Sequence, residues 1–83
     1  MSANRGEIVA DLRERVARIV YLDLDDVRPE SRYAEDLHLE SSGAVQLLVE
    51  LEERYGIRIA DDEARELLTL DETVALIERK LAA

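Results

Sequence analysis

The side chains most able to do chemistry cluster in one stretch, Glu35, Asp36, His38, Glu40, Ser41 and Ser42. Ser41, His38 and Asp36 are the residue types of an acyl-transfer triad, but all three lie in one short loop with no glycine-rich oxyanion segment beside it. The adjacent carboxylates Glu52 and Glu53 diverge around a helix and cannot pair across a substrate. Asp23-Leu24-Asp25-Asp26 opens like a calcium loop, yet Arg28 holds the sixth position that needs glycine and Ala34 the twelfth that needs glutamate. With no cysteine and one histidine, nothing supplies a zinc site. Gly-x-Gly-x-x-Gly and phosphate-loop patterns are absent. No catalytic residue and no metal ligand is therefore expected.

Composition narrows the classes further. The 83 residues carry 20 acids against 11 bases, a formal net charge of −9. Such a chain is repelled by nucleic acid and by anionic membrane surfaces, and attracted to proteins with basic patches. A hydrophobic content of 47% with clear periodicity argues against disorder. A domain of this size buries only roughly 60–65% of its unfolded surface, which leaves little room for an enclosed catalytic cleft. One domain over residues 1–83 is expected. Without cysteines, and with no apolar segment at Met1-Ser2-Ala3-Asn4-Arg5-Gly6, the expectation is a cytoplasmic protein with neither signal peptide nor membrane span, acting as a monomer.

The elements that must position the cluster are helices. Ile8, Leu12, Val16, Ile19 and Val20 recur at three- and four-residue spacing, which predicts a first helix from Gly6 to Tyr21 with outer pairs Asp11–Arg15 and Glu14–Arg18. A long connection, Leu22 to Glu40, follows; Val27, Tyr33, Leu37 and Leu39 are the residues that can pin it, and Pro29 stiffens it. The second helix starts at Ser41 or Ser42 and ends at Tyr55-Gly56, with Gly56 as its cap. Ala44, Leu47, Leu48, Leu51 and Tyr55 form its core face, while Val45 and Val49 lie among polar residues on another. Asp61-Asp62-Glu63 opens a short third helix with Leu67 and Leu68 packing inward. A fourth starts near Asp71 as N-cap and presents Val74, Ile77 and Leu81 inward. The fold class is all-α: three longer helices and a short third one, in a four-helix bundle with a long first loop.

Glu35-Asp36-Leu37, Ser41 at a helix start and the acidic helix behind it resemble the acyl carrier protein family, and the likeness runs from about Ile8 to Leu81. Gly43-Ala44-Val45-Gln46-Leu47-Leu48 is most similar to the D-alanyl carrier branch, whereas Glu35-Asp36-Leu37 and Leu68-Thr69-Leu70 look like ordinary acyl carriers. Glu40 replaces the usual aspartate, Ser42 replaces the usual leucine or methionine, and His38 stands where many members have glycine. The resemblance implies the same bundle, and it implies 4′-phosphopantetheine attached to Ser41 from coenzyme A by a phosphopantetheinyl transferase. It further implies loading by adenylating or acyl-transferring enzymes, with tailoring enzymes acting on the load.

Physical requirements agree with Ser41 in that role. An attachment serine needs a free hydroxyl at a surface turn, main-chain N–H groups and a positive helix end for a phosphodiester, and a rigid helix beneath. Gly43 in the first turn suits close approach of a bulky group. A plain N-cap is the simpler role for Ser41, but Ala44 and Val45 leave no capping box. Glu40, Ser42, Val45, Gln46, Val49, Glu52 and Glu53 are the expected partner-reading residues. The expected function is a free-standing carrier, not an enzyme, holding a thioester-linked acyl or aminoacyl group. Its pathway is expected to be specialised (polyketide, non-ribosomal peptide or aminoacyl transfer) rather than bulk fatty-acid synthesis. The competing readings are an unmodified acidic helical adaptor and a minimal hydrolase.

Overall fold

Asn4 starts the first helix by accepting from the Glu7 N–H at 2.9 Å and donating to the Glu7 carboxylate at 2.6 Å. The computed structural model describes residues 4–82. In it α1 spans Arg5–Val20, α2 Ser41–Tyr55, α3 Asp61–Arg65 and α4 Leu70–Ala82, with a single 3₁₀ turn at Leu24–Asp26. The four-helix order, the bounds of the first two helices and the start of the third agree with the periodicity to within a residue. The amino-terminal reading rests in part on residues 1–3, outside the described residues. No helix among those described is long and apolar enough to cross a membrane.

The apolar stripe of α1 makes the spine of the core. Ile8, Leu12 and Val16 are fully buried, and they meet Leu70, Val74 and Ile77 of α4 and Leu47 and Leu51 of α2. Chain termination at α1 and α2 follows cap geometry. Gly56 closes α2 at φ 63, as its missing Cβ allows. Tyr21 closes α1 in the same left-handed conformation, φ 60, where a side chain is strained.

The long connection is anchored rather than loose. Arg13 Nε donates to the Val27 carbonyl at 2.5 Å and its terminal nitrogen to the Leu24 carbonyl at 2.8 Å, which holds the 3₁₀ turn. Val27, Tyr33 and Leu37 are buried as expected, and Leu39 is half-buried. Farther along, the loop serves the start of α4. The Ser31 carbonyl accepts from Leu70 N–H at 3.1 Å, the Pro29 carbonyl from Asp71 N–H at 2.7 Å, and Tyr33 N–H donates to the Leu68 carbonyl at 3.0 Å. Inside, the Tyr33 hydroxyl donates to Thr73 Oγ1 at 2.7 Å.

Three expectations need correction. The N-cap of α4 is Thr69, not Asp71: Glu72 N–H donates to Thr69 Oγ1 at 3.2 Å while the Glu72 carboxylate accepts from the Thr69 and Leu68 N–H groups at 2.9 and 2.8 Å. That reciprocal pairing is the Thr-x-x-Glu capping box, which satisfies more orphan donors than one aspartate can. Leu68 does not pack inward; its side chain is 65% exposed, because its N–H and carbonyl are both held by neighbours that fix the backbone. Arg18 does not pair with Glu14 but crosses to Glu50 of α2 at 2.6 Å. Asp11–Arg15 does form, at 3.0 Å.

Candidate functional site

The residues before Ser41 are fixed by the loop. The Arg32 carbonyl accepts from the Asp36 and Leu37 N–H groups at 2.9 and 3.1 Å, and the Asp36 carboxylate accepts from Arg32 N–H at 2.8 Å. The buried Leu37 side chain anchors this turn. His38 then takes a left-handed conformation, φ 53, which explains in physical terms why glycine suits the position. Leu39 N–H donates to the Tyr33 carbonyl at 2.8 Å and delivers the chain to Glu40.

Ser41 is the first residue of α2 and is exposed, as is Ser42. Glu40 sits at the N-cap in extended conformation, φ −84 and ψ 167, but its carboxylate caps nothing. The first intrahelical bond runs from Ala44 N–H to the Glu40 carbonyl at 2.9 Å. Among the described residues no acceptor meets the amides of Ser41, Ser42 and Gly43. The start of α2 therefore offers free N–H donors and the positive end of a helix of 15 residues beside an exposed hydroxyl. By contrast α1 is capped by Asn4, α4 by Thr69, and at α3 the Glu63 carboxylate accepts from Ala60 N–H at 3.0 Å. A phosphodiester on Ser41 fits this arrangement.

Gly43 has a packing role that its sequence position alone did not show. A Cβ there would lie 2.9 Å from Leu39 Cδ1 and 3.0 Å from Ile19 Cγ2. The close approach that the missing side chain permits here is to α1 and to the loop. That contact seats the start of α2 against α1 and gives Ser41 a rigid base.

The other predicted side chains divide. Val45 and Val49 are 60% and 47% exposed, and Ser42, Glu40, Gln46 and Glu53 are exposed around them. Glu52 is the exception. Half-buried, it accepts from Ile59 N–H at 2.8 Å and fixes the turn into α3, so its carboxylate is spent internally. Glu50 was missed by sequence reasoning. It accepts from Arg18 at 2.6 Å, Arg15 at 2.8 Å and Gln46 Nε2 at 3.1 Å, and these guanidinium contacts, Arg18 foremost, pull its carboxyl down to about 2. No local signal marks the pair of guanidinium contacts, because Arg15 and Arg18 lie on α1.

Two open grooves flank the start of α2, and Leu39 lines both. One, of about 650 Å³, runs along the end of α1 past Tyr21, His38, Ser42 and Gly43. The other, of about 550 Å³, passes between Ala44 and Leu67-Leu68. Among the described residues no group of three or more His, Cys, Asp or Glu is placed to hold a metal ion.

A family model described as a phosphopantetheine attachment site matches residues 10–77. The chain is similar to an acyl carrier protein of Thermosynechococcus vestitus, with 38% identity over 80 residues covering 96% of this chain and 99% of that protein. It is 32% identical over 79 residues to a meromycolate extension acyl carrier protein of Mycolicibacterium aurum, covering 95% of this chain and 81% of that one. The solution structure of a candidate acyl carrier protein from Anaplasma phagocytophilum matches with a TM-score of 0.82 at 30% identity, covering 96% and 94% of the two chains.

Proposed function

Since the chain belongs to the acyl carrier protein family, whose phosphopantetheine-attachment model spans residues 10–77, we propose that Ser41 receives the 4′-phosphopantetheine and that the loaded protein serves a specialised acyl or aminoacyl pathway. The family is one of carriers that phosphopantetheinyl transferases and acyl-processing enzymes act upon, and the prosthetic group is covalent. When bound, that group supplies a thiol on a long arm, to which an acyl group is joined as a thioester.

The observation that carries the assignment is the exposed Ser41 hydroxyl at the one long helix start whose first amides have no acceptor among the described residues. Ser41 contributes the oxygen that is esterified. The amides of Ser41, Ser42 and Gly43 stabilise the negative phosphodiester, and the packing of Gly43 on Ile19 and Leu39 fixes where the arm begins. Val45 and Val49 with Glu40, Ser42, Gln46 and Glu53 form the face that partners read; Glu52 contributes through the turn it holds.

The choice of pathway rests on the α2 face. Ser42 withholds the apolar side chain that the position usually offers. Gln46, tied to Glu50, adds no charge to attract basic synthase patches. The meromycolate relatives make a long-chain lipid pathway the natural competitor, and competition against a bona fide fatty-acid carrier for a fatty-acid synthase set decides between them. Slow or absent elongation supports the proposal; turnover equal to that carrier refutes it. Loading should also fall as salt rises, since exposed acids steer the encounter.

Attachment is tested by intact mass after incubation with coenzyme A, Mg²⁺ and a broad-specificity phosphopantetheinyl transferase. Wild type and Ser42→Ala should each gain one phosphopantetheinyl group and Ser41→Ala none. Modification of Ser41→Ala but not Ser42→Ala would move the site by one residue, and an unmodified wild type would leave the acidic adaptor.

A further inference from the structure

Net charge and local charge differ on the face that partners read. The acids of α2 and its N-cap are Glu40, Glu50, Glu52 and Glu53. Two of them are spent inside the molecule. Glu52 accepts from Ile59 N–H at 2.8 Å, and Glu50 is shared by Arg15 and Arg18 at 2.8 and 2.6 Å. Glu40 and Glu53 are exposed and make no ion pair among the described residues. A chain of net charge −9 therefore places few free carboxylates beside Val45 and Val49.

Arg18 supplies the opposite sign at the edge of that face. Its neighbour Ile19 packs against Gly43, and its guanidinium meets the Glu50 carboxylate, which also accepts from Gln46 Nε2 at 3.1 Å. The guanidinium thus stands alongside the first turns of α2, on the Gln46 side. Arg15 is the inner cation: its side chain is 20% exposed, and it bridges Asp11 at 3.0 Å and Glu50 at 2.8 Å. It ties α1 to α2 by itself. Arg18 adds an outer bond to a carboxylate already held, and its side chain is 56% exposed. An exposed pair of this kind adds little to stability. Arg18 binds Glu50 through its two terminal nitrogens, which leaves Nε–H and further N–H groups for a second carboxylate. The charges of Asp11, Arg15, Glu50 and Arg18 cancel, with a cation as the most exposed of the four. At contact this edge favours a carboxylate and disfavours lysine or arginine, while the net charge still draws a basic protein in from a distance.

We propose that Arg18 is a specificity residue of the α2 face, which pairs with a carboxylate on the enzyme that loads or processes the carrier and repels enzymes whose docking surface there is basic. The proposal rests on attachment at Ser41 and on the Val45–Val49 face as the surface read. The test uses the phosphopantetheine form, checked by intact mass, as varied substrate for a malonyl-transferring enzyme with a basic docking patch. Arg18→Gln should lower KM about fivefold at low salt with kcat within about twofold of wild type, and the gain should fade as salt rises. Arg18→Lys, which keeps the charge, should stay within about twofold of wild type. Loss of a merely structural contact would raise KM or lower kcat, so the direction of the change separates the two roles, and urea melts confirm that each variant is folded. In the converse arm each arginine of the enzyme's patch is replaced in turn by glutamate, and at least one such enzyme should prefer wild type over Arg18→Gln. An Arg18→Gln protein whose KM is within about twofold of wild type, or higher, overturns the inference while leaving Ser41 in place. Failure of every glutamate enzyme to prefer wild type overturns the carboxylate pairing. A wild type that accepts no phosphopantetheine overturns the attachment reading and this inference with it.

Discussion

Gly43→Ala sets two opposing effects against each other at one methyl group. Inside a helix alanine is worth about 1 kcal/mol more than glycine, so propensity alone predicts a stabler protein. The added Cβ would lie 2.9 Å from Leu39 Cδ1 and 3.0 Å from Ile19 Cγ2. Leu39 Cδ1 is the end of a flexible, half-buried side chain and can swing away at small cost. Ile19 Cγ2 cannot, because it is bonded to the Cβ of a β-branched helical residue whose χ1 is confined to one rotamer. Relief then requires α1 and α2 to part by a few tenths of an ångström, and overpacking of this kind costs about 1–3 kcal/mol. The net expectation is a loss of about 1 kcal/mol, or about 4–8 °C in Tm for a domain of this size. Urea and thermal melts of Gly43→Ala, Leu39→Ala and the double variant measure it. Leu39→Ala should cost less in the alanine background than in wild type, with a coupling of about 0.5–1 kcal/mol. A Gly43→Ala protein that is stabler by about 1 kcal/mol would refute the packing role assigned to this glycine.

Other substitutions probe separate parts of the structure. Leu51→Ala, at a fully buried site, should cost about 2–5 kcal/mol, whereas Val49→Ala, at a site 47% exposed, should cost under about 0.5; equal losses in urea would contradict the assignment of faces on α2. Thr69→Ala should cost about 1 kcal/mol and Asp71→Asn less, and the reverse order would return the α4 cap to Asp71. Glu50 is held down from the usual 4.5 to about 2, so the stability it contributes is complete above about pH 4.5 and is lost as pH falls toward 2. Glu50→Gln should therefore be less stable than wild type by about 1–2 kcal/mol at pH 7, with the gap closing in acid; a gap unchanged down to pH 2.5 would disprove the linkage.

Local chemistry was legible in the sequence, and contacts between distant residues were not. The stripe Ile8-Leu12-Val16, the glycine at position 56 and the carboxylates at Asp61-Asp62-Glu63 each signal their helix because the cause lies within a turn or two. Thr69-x-x-Glu72 was legible too, and the nearby aspartate merely drew attention from it. The exposed serine at a helix start could be read as well. Glu50 could not, because Arg15 and Arg18 reach it from α1. Gly43 was half-legible for the same reason: sequence shows that a close approach is permitted, and only the packing shows that α1 makes one. Leu68 was assigned inward on hydrophobicity, yet backbone hydrogen bonds from Tyr33 and to Glu72 decide where it points.

The hydrogen bonds joining Pro29, Ser31 and Tyr33 to Leu68, Leu70 and Asp71 also bear on the order of folding. They close a chain segment of some forty residues, so their loop entropy must be met before they contribute, whereas α1 and α2 can form from local contacts alone. We therefore expect the segment ahead of Ser41 to take its final shape late, when α4 docks, and to come apart first when α4 lifts. Amide hydrogen exchange reads this directly: Tyr33, Leu70 and Asp71 should exchange with one common opening free energy, below that of Leu12 and Leu51. Separate protection at Tyr33 and Leu70 would break the link. If it holds, the loop that delivers the chain to Ser41 takes its final shape only as the last helix docks.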